Sequence, residues 1–504
     1  MKNKIPLLCG AALCLLSALS PVQAQSATFN APYDFTALTG SDFTNSDGAD
    51  SQAGFVSSGN TLYGTAYFGG NAGNGTVFGI VIDGPAMTLT NLHSFSATNG
   101  PYLINYDGAN PIAGLILSGN TLYGTTQNGG AGGSGSVFRV NTDGSNFTNL
   151  YSFTAVTNLT NGDGAYPAGG LVLSGDTLYG TAESGGSGGV GAVFSVNIQT
   201  SDFLNLHNFP PTSGTPYNSN SDGAYPSATL VLSGNTLYGT AQAGGNFGNG
   251  TVFSVNTVTL GFTNLYDFTG TSSAPPYTNS DGAIPLAGVI LSGNTLYGTA
   301  YYGGSGGNGT VFRVNTDGSN FASLYNFTAT NGADLGTNAD GANPVAGLLL
   351  LGQTLYGTAP YGGDGGNGTV FSVRTDGSNF MNLYDFTPTS VASPYTNSEG
   401  AVPFGGLMLS GSTLYSTTAG GGSAGNGTVF AVGLPAPPLG ILPVSNQVVI
   451  SWPAWGSNFV LQAATNLSSG TWSNITSGLA PVGTNYVFTN ALSGQAAYFR
   501  LQQQ

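Results

Sequence analysis

Hydrophobic and polar residues alternate in short runs along most of the chain, as in Thr295-Leu296-Tyr297-Gly298-Thr299-Ala300 and Thr310-Val311-Phe312, and each run stops at a Gly-, Asn- or Asp-rich stretch. Alternation over about four to eight residues reads as a half-buried β-strand. One full round starts at Asp281-Gly282-Ala283-Ile284-Pro285 and continues through Leu286 to Leu291, Ser292-Gly293-Asn294 and Thr295 to Ala300. It then passes Gly303-Gly304 and Gly309 to Phe312 and closes on Leu324-Tyr325-Asn326-Phe327-Thr328. Four strands are predicted: a, the Gly-Leu-x-Leu run; b, Thr-Leu-Tyr-Gly-Thr; c, Thr-Val-Phe-x-Val; and d, Leu-Tyr-x-Phe-Thr. Gly-Asn between a and b, and Asp-Gly between c and d, supply the positive φ that tight hairpin turns require. Each round is therefore an antiparallel four-stranded meander.

The round recurs seven times, with the strand-b tyrosine at Tyr63, Tyr123, Tyr179, Tyr238, Tyr297, Tyr356 and Tyr415. From the acid of Asp-Gly to that tyrosine is 16 residues in every copy, and from the tyrosine to the Phe of Val-Phe is 15. Length varies from the closing Phe to the next acid, 10 to 13 residues, as expected of a surface loop. A lone sheet with large side chains on both faces cannot hide them, so copies must stack. The phase of the repeat decides how. The chain enters on a lone strand d, Tyr33-Asp34-Phe35-Thr36, and the seventh copy stops after strand c at Phe430-Ala431-Val432. An N-terminal strand completing the last sheet closes a ring and removes open edges. The expected fold is all-β: a seven-bladed β-propeller over residues 27–433 closed by its N-terminal strand.

The runs SGNTLYGTA, GGNGTVF and NLYDFT resemble the GloVer tandem repeat of "choice-of-anchor" exported bacterial proteins, over about residues 33–433. The resemblance implies a propeller-like secreted protein without an assigned activity, often with a C-terminal sorting segment. The end of this chain, Tyr498-Phe499-Arg500-Leu501-Gln502, departs from that pattern, having no terminal apolar helix or basic tail.

Outside the repeat, Met1 to Lys4, the apolar run Ile5 to Leu19 and Val22-Gln23-Ala24 have the order of a signal peptide, expected over 1–24. The apolar run breaks at Ser20-Pro21, short of the roughly 20 residues a membrane span needs. Both cysteines, Cys9 and Cys14, fall inside it. The protein is thus expected to be exported, to the periplasm, cell surface or medium, with no membrane insertion after cleavage. Leu434-Pro435-Ala436-Pro437-Pro438 opens a proline-rich linker over 434–443. Residues 444–504 carry all three tryptophans, Trp452, Trp455 and Trp472, and short strand-like runs, and are expected to form a small fibronectin-III-like β-sandwich with those rings in its core.

Charge narrows the partners. The formal net charge is −15, and beyond Lys4 the only basic side chains are Arg139, Arg313, Arg374 and Arg500. Nucleic acid and anionic lipid both need clustered Lys and Arg, so neither is expected.

A meander puts the b–c and d–a loops on one rim, which is where function is sought. Seven acids recur there: Asp47, Asp107, Asp163, Asp222, Asp281, Asp340 and Glu399. They are expected to cap backbone N–H groups in the turn before strand a. The oxygen-rich Asn-x-Asp-Gly loops make calcium the minority reading, the one cofactor considered. His93 and His207 replace the strand-d Tyr and read as packing residues, and Arg139 and Arg313 are equivalent to each other and expected to pair with nearby acids. Acids outside the repeat, Asp42, Glu183, Asp334 and Asp364, fall in different copies. Extra aromatics stand out more: Tyr67, Phe68, Tyr301, Tyr302 and Tyr361 precede the Gly-Gly pairs, and Tyr102, Tyr217, Tyr277 and Tyr395 sit in d–a loops. Ring faces beside Asn and Asp suit a polysaccharide or cell-surface glycan. The reading is a non-enzymatic scaffold or binding module, with a polysaccharide-active hydrolase or lyase as the alternative.

Overall fold

The computed structural model describes residues 27–83, 86–100, 103–214, 218–331, 336–435, 437, 439–444, 447–453, 459–464, 471–482, 485–491 and 498–503. The expected signal peptide lies outside them. No described residue is in an α-helix, and no helix is long and apolar enough to cross a membrane.

Before Leu434 the described residues form seven four-stranded antiparallel sheets, each in the order a-b-c-d. In the fifth, strand a is Ile290–Ser292, b is Thr295–Ala300, c is Thr310–Asn315 and d is Ala322–Asn326. The last sheet takes its fourth strand from the start of the chain: Thr28–Asp34 pairs with Thr428–Gly433, with Tyr33 opposite Val429. Phe35 is then buried against Val429 from the last sheet and Phe55, Leu62 and Phe78 from the first. Every phenylalanine just past strand d, from Phe35 and Phe95 to Phe327 and Phe386, is almost wholly removed from water. Such burial contributes roughly 1.5–3 kcal/mol per side chain.

Strand a is shorter than the alternation suggested. It spans three residues in each unit, Val56–Ser58 in the first and Ile290–Ser292 in the fifth, although the apolar run begins at Leu286. The missing part is not in the ladder because it lines a central cavity of 460 Å³ reached by all seven units, from Gln52–Phe55 round to Phe404 and Leu407. Its carbonyls bond to the neighbouring unit instead. Thr65, Thr125, Thr181, Thr240, Thr299 and Thr358 in strand b donate their Oγ1 to Ala113, Gly169, Ala228, Ala287, Ala346 and Gly405 of the next unit at 2.8–3.4 Å. Thr417 of the seventh unit completes the circle on Ala53 of the first, at 3.0 Å.

A second ring of bonds has a cost in backbone conformation. Asp50, Asn110, Tyr166, Tyr225, Ile284, Asn343 and Val402 all adopt φ between 56° and 59°. Bulky and β-branched side chains resist this left-handed region. The conformation turns each N–H onto a b–c loop carbonyl of the preceding unit, as in Ile284 N to Asn249 O at 2.9 Å and, closing the ring, Asp50 N to Asn426 O at 3.1 Å.

After Leu434 the chain forms a four-stranded sheet (Gly440–Val444, Gln447–Pro453, Asn485–Ala491, Leu479–Val482) and a three-stranded one (Ser473–Asn474, Phe459–Ala464, Tyr498–Gln503). Strand begins at Gly440, so the last four residues of the stretch read as linker are part of a sheet. Ile450, Trp452 and Leu461 are buried together. Trp472 is half-buried with the Arg500 guanidinium 4.4 Å from its ring centre, and Trp455 lies outside the described residues.

Candidate functional site

The b–c and d–a loops are held together by an asparagine two residues before each acid. In the fifth unit Asn279 Oδ1 accepts from Gly282 N and Gly304 N, while Nδ2 donates to Thr269 O and Gly282 O, at 2.7–3.0 Å. Asn45, Asn105, Asn161, Asn220, Asn338 and Asn397 repeat this four-bond pattern. An amide side chain can make four hydrogen bonds, and all four are made here. Sequence reasoning passed over these residues, although the Asn-x-Asp-Gly run was in view. The second glycine is as tightly placed: a Cβ on Gly282 would meet Thr310 Oγ1 at 2.5 Å and Ala300 Cβ at 2.6 Å, with φ at +101°.

Asn caps the glycine N–H beside each acid, and the backbone N–H that most of the acids accept, as expected of them, lies at the far end of the loop, just past strand d. Each reaches back to the end of strand d. Asp281 accepts from Tyr266 Oη at 2.8 Å, Thr269 N at 2.9 Å and Thr269 Oγ1 at 2.5 Å, and Asp47, Asp163 and Asp340 accept from the same three donors of their own loops. Burial first, and then the acceptor carboxylate, push the hydroxyls of Tyr33, Tyr151, Tyr266 and Tyr325 well above the ordinary phenol range, so they stay donors. Glu399 accepts from Thr387 N at 3.1 Å.

The histidines occupy the tyrosine's place in this joint. His93 stacks on Phe147 at 3.7 Å and puts Nε2 3.0 Å from Asp107 Oδ2, as Tyr266 stacks on Phe321 at 3.8 Å. Burial raises the Asp107 carboxyl, but the contacts from His93 and from the Ser96 hydroxyl and N–H outweigh it and hold the group below the usual range. The fourth unit is the weak copy. Pro210 stands where the others have Thr or Ser, so Asp222 has neither a backbone N–H nor a hydroxyl from that residue. His207 Nε2 lies 3.0 Å from Asp222 Oδ2 but too far off line to bond well.

The remaining expected residues divide. Arg139 and Arg313 pair with no acid: the ion-pair contacts among the described residues are those of the two histidines and Arg374 with Asp376 at 3.9 Å. Their strand position faces Tyr123 and Tyr297 across the ladder, away from the acid-bearing loops. Arg139 opens into a small pocket with Thr121, Asn141 and Phe147, and Arg313 Nε is buried without a partner. Glu183 is bonded by Gln242 Nε2 at 3.0 Å, and burial raises its carboxyl despite that bond. Asp42 lies at a groove between the first two units, and Asp364 has its N–H on Asp385. No three His, Cys, Asp or Glu side chains gather among the described residues. Tyr102, Tyr217 and Asp334 lie outside them.

Three of the expected aromatics come together. Tyr301 and Tyr302 meet edge to face at 4.4 Å, and Tyr361 of the next unit is close enough that burial, then the nearness of Tyr302 and Tyr361, push the Tyr301 hydroxyl up. Tyr361 also sets its ring edge-on, at 6.4 Å, to Phe404, which lines the central cavity. Tyr67 and Phe68 form a separate pair at 4.6 Å, with Tyr67 Oη donating to Gln127 at 3.1 Å.

A family model matches the repeated part of the chain. The Gloeobacter/Verrucomicrobia repeat matches residues 102–280 and again 277–437. The chain belongs to the Gloeobacter/Verrucomicrobia repeat family. Each match takes in strands from three consecutive units. No curated protein matches the chain. Among solved structures, propeller-like proteins are similar to it: an oligogalacturonate lyase from Vibrio parahaemolyticus at 11% identity and TM-score 0.46, covering 81% of this chain and 97% of that one. BamB from Moraxella catarrhalis follows at 12% and 0.37, covering 77% and 85%. Likenesses this distant carry nothing about what the Gloeobacter/Verrucomicrobia repeat protein binds.

Proposed function

We propose that the protein is an exported, non-enzymatic binding module that holds a glycan on the rim formed by its b–c and d–a loops. The observation that supports this is the cluster of Tyr301, Tyr302 and Tyr361 across two neighbouring units. At the position of Tyr302 and Tyr361 the first unit carries Phe68, but the four others carry Asn128, Ser184, Ala243 and Gly420, so the scaffold does not need a ring there. Tyr302 nevertheless stays 40% exposed. An aromatic face with a hydroxyl, beside loops rich in Asn, offers a sugar both an apolar platform and hydrogen bonds. The seven repeated acids are assigned to holding strand d, so no bound cation is invoked.

The test is a polysaccharide screen with product analysis. Tyr302→Ala and Tyr361→Ala should each weaken binding at least several-fold, with no fragments released by either variant or by the parent. One observation favours the enzymatic alternative, the half-buried Glu183 whose carboxyl is raised, as a general acid requires. Fragments that disappear on Glu183→Gln would replace the binding reading with that one.

A further inference from the structure

The groove between the first and second units has the make-up of a second saccharide site. Its volume is 580 Å³, and Phe43, Phe68 and Leu103 line it together with Asn71, Asn74 and Asn128. Phe43 is 62% exposed and Phe68 41%, so both present ring surface to solvent. Phe68 is held by its edge-to-face contact with Tyr67 at 4.6 Å, and Tyr67 in turn by Gln127. Asn74 donates through Nδ2 to Ser96 O at 2.6 Å, which fixes its amide and leaves Oδ1 to accept from a hydroxyl.

The repeat itself supplies the control. Four residues before each acid stand Phe43, Leu103, Leu159, Asn218, Tyr277, Gly336 and Tyr395. Phe43 has φ 52°, Tyr277 43° and Tyr395 39°, the left-handed region that suits the Asn218 found there in the fourth unit, at 44°. The turn is thus satisfied by a small polar residue. Leu103 and Leu159 adopt the same conformation, at 52° and 71°, so five units keep an exposed apolar side chain where the turn accepts Asn, and such outliers point toward function. Only the first and fifth units carry a ring both here and after strand b: Phe43 with Phe68, and Tyr277 with Tyr302. Asp42 is the one charged residue in the groove and the chain carries −15 overall, so the ligand that fits is a neutral polymer rather than an anionic one.

We propose that this groove binds a neutral polysaccharide segment, and that the protein grips one long chain at two places on the same rim, here and at the tyrosine cluster. This rests on the glycan reading above. Two linked contacts raise affinity for a polymer that spans them and not for a short oligosaccharide that cannot. Binding is measured to xyloglucan, galactomannan, mixed-linkage β-glucan and amylose, and to the hexasaccharide of each. Phe43→Asn with Phe68→Ala installs residues that the fourth unit carries at the same places, Asn218 and Ala243, so folding is expected to be kept and an unchanged melting temperature checks it. The double variant should lose about tenfold or more in affinity for the polymer while hexasaccharide affinity changes by no more than about twofold. Phe43→Tyr with Phe68→Tyr keeps the rings and should restore polymer affinity. Parental polymer affinity in the Asn/Ala variant overturns the second site and leaves the tyrosine cluster standing. No binding of the parent to any of the four polymers overturns both.

Discussion

Ring closure by the N-terminal strand makes a comparison possible between two phenylalanines in the same environment. Phe35 and Phe327 are equivalent, fully buried, and each sets its ring edge-on to a strand-c Phe of the adjoining unit, Phe78 at 5.5 Å and Phe371 at 5.2 Å. Truncating either to Ala removes the same burial and leaves the same cavity, about 3–5 kcal/mol. The strands that carry them differ in tether. Ala322–Asn326 follows strand c of its own sheet through a short connection, whereas Thr28–Asp34 is held by non-covalent contacts alone: its ladder and the Phe35 N to Gly427 O bond at 3.2 Å to the last sheet, and the stack of Phe29 on Tyr384 of the sixth at 3.8 Å. Phe35→Ala should therefore let residues 27–36 release locally, while Phe327→Ala destabilises without releasing a segment. At 1.4 kcal/mol per factor of ten, a loss of about 3 kcal/mol raises the open population about a hundredfold, and cleavage follows it when opening is faster than cutting. Limited proteolysis with mass mapping of the N-terminal cut reads this directly, alongside denaturant melts of both variants. Equal N-terminal cleavage in the two variants, or a Phe35→Ala cost below about 1 kcal/mol, would refute closure as the role of this strand.

Other outcomes follow from the joints between loops. Asn338→Ala leaves Gly341 N and Gly363 N without their acceptor and should cost a few kcal/mol, at about 1–3 kcal/mol per buried donor, seen as a lower midpoint in guanidinium. Pro210→Thr gives Asp222 the backbone and hydroxyl donors the other units have and should stabilise by about 1 kcal/mol, checked by the melting temperature. His207 is pushed below its ordinary value, by burial first and against the opposing pull of Asp222. Below about pH 6.5 the unfolded chain then binds more protons than the folded one, so stability falls on acidification from pH 7. His207→Tyr should remove that part of the slope between pH 7 and 5, and an unchanged slope would contradict the assignment.

What could be read from the chain alone follows from the reach of each signal. Period-two alternation and Gly-Asn turns are local, and they placed strands b and c to within a residue or two, whereas strand d starts two to six residues earlier than the Leu-Tyr-x-Phe-Thr run and ends just before its Phe. The phase of the repeat is a global count, and it was enough to bring Tyr33 opposite Val429. Partners across units were another matter. Thr299 bonds a carbonyl 47 residues on, and Thr417 one that precedes it by 364, because stacking put them side by side and no sequence spacing announces it. Stacking also shortened strand a, since a backbone already bonded to its neighbour has no place in its own ladder. Local turn rules named the Asp as the capping residue, but the Asn two positions earlier has both a donor and an acceptor, and once two loops lay against each other only it could bond both. The same holds for the rings: Tyr301, Tyr302 and Tyr361 were conspicuous singly as departures from the repeat. That Tyr301 and Tyr302 pack edge to face with Tyr361 of the next unit nearby, while Phe68 lines a different groove with Phe43, was decided by the packing of whole units, whose geometry depends on every interface in the circle.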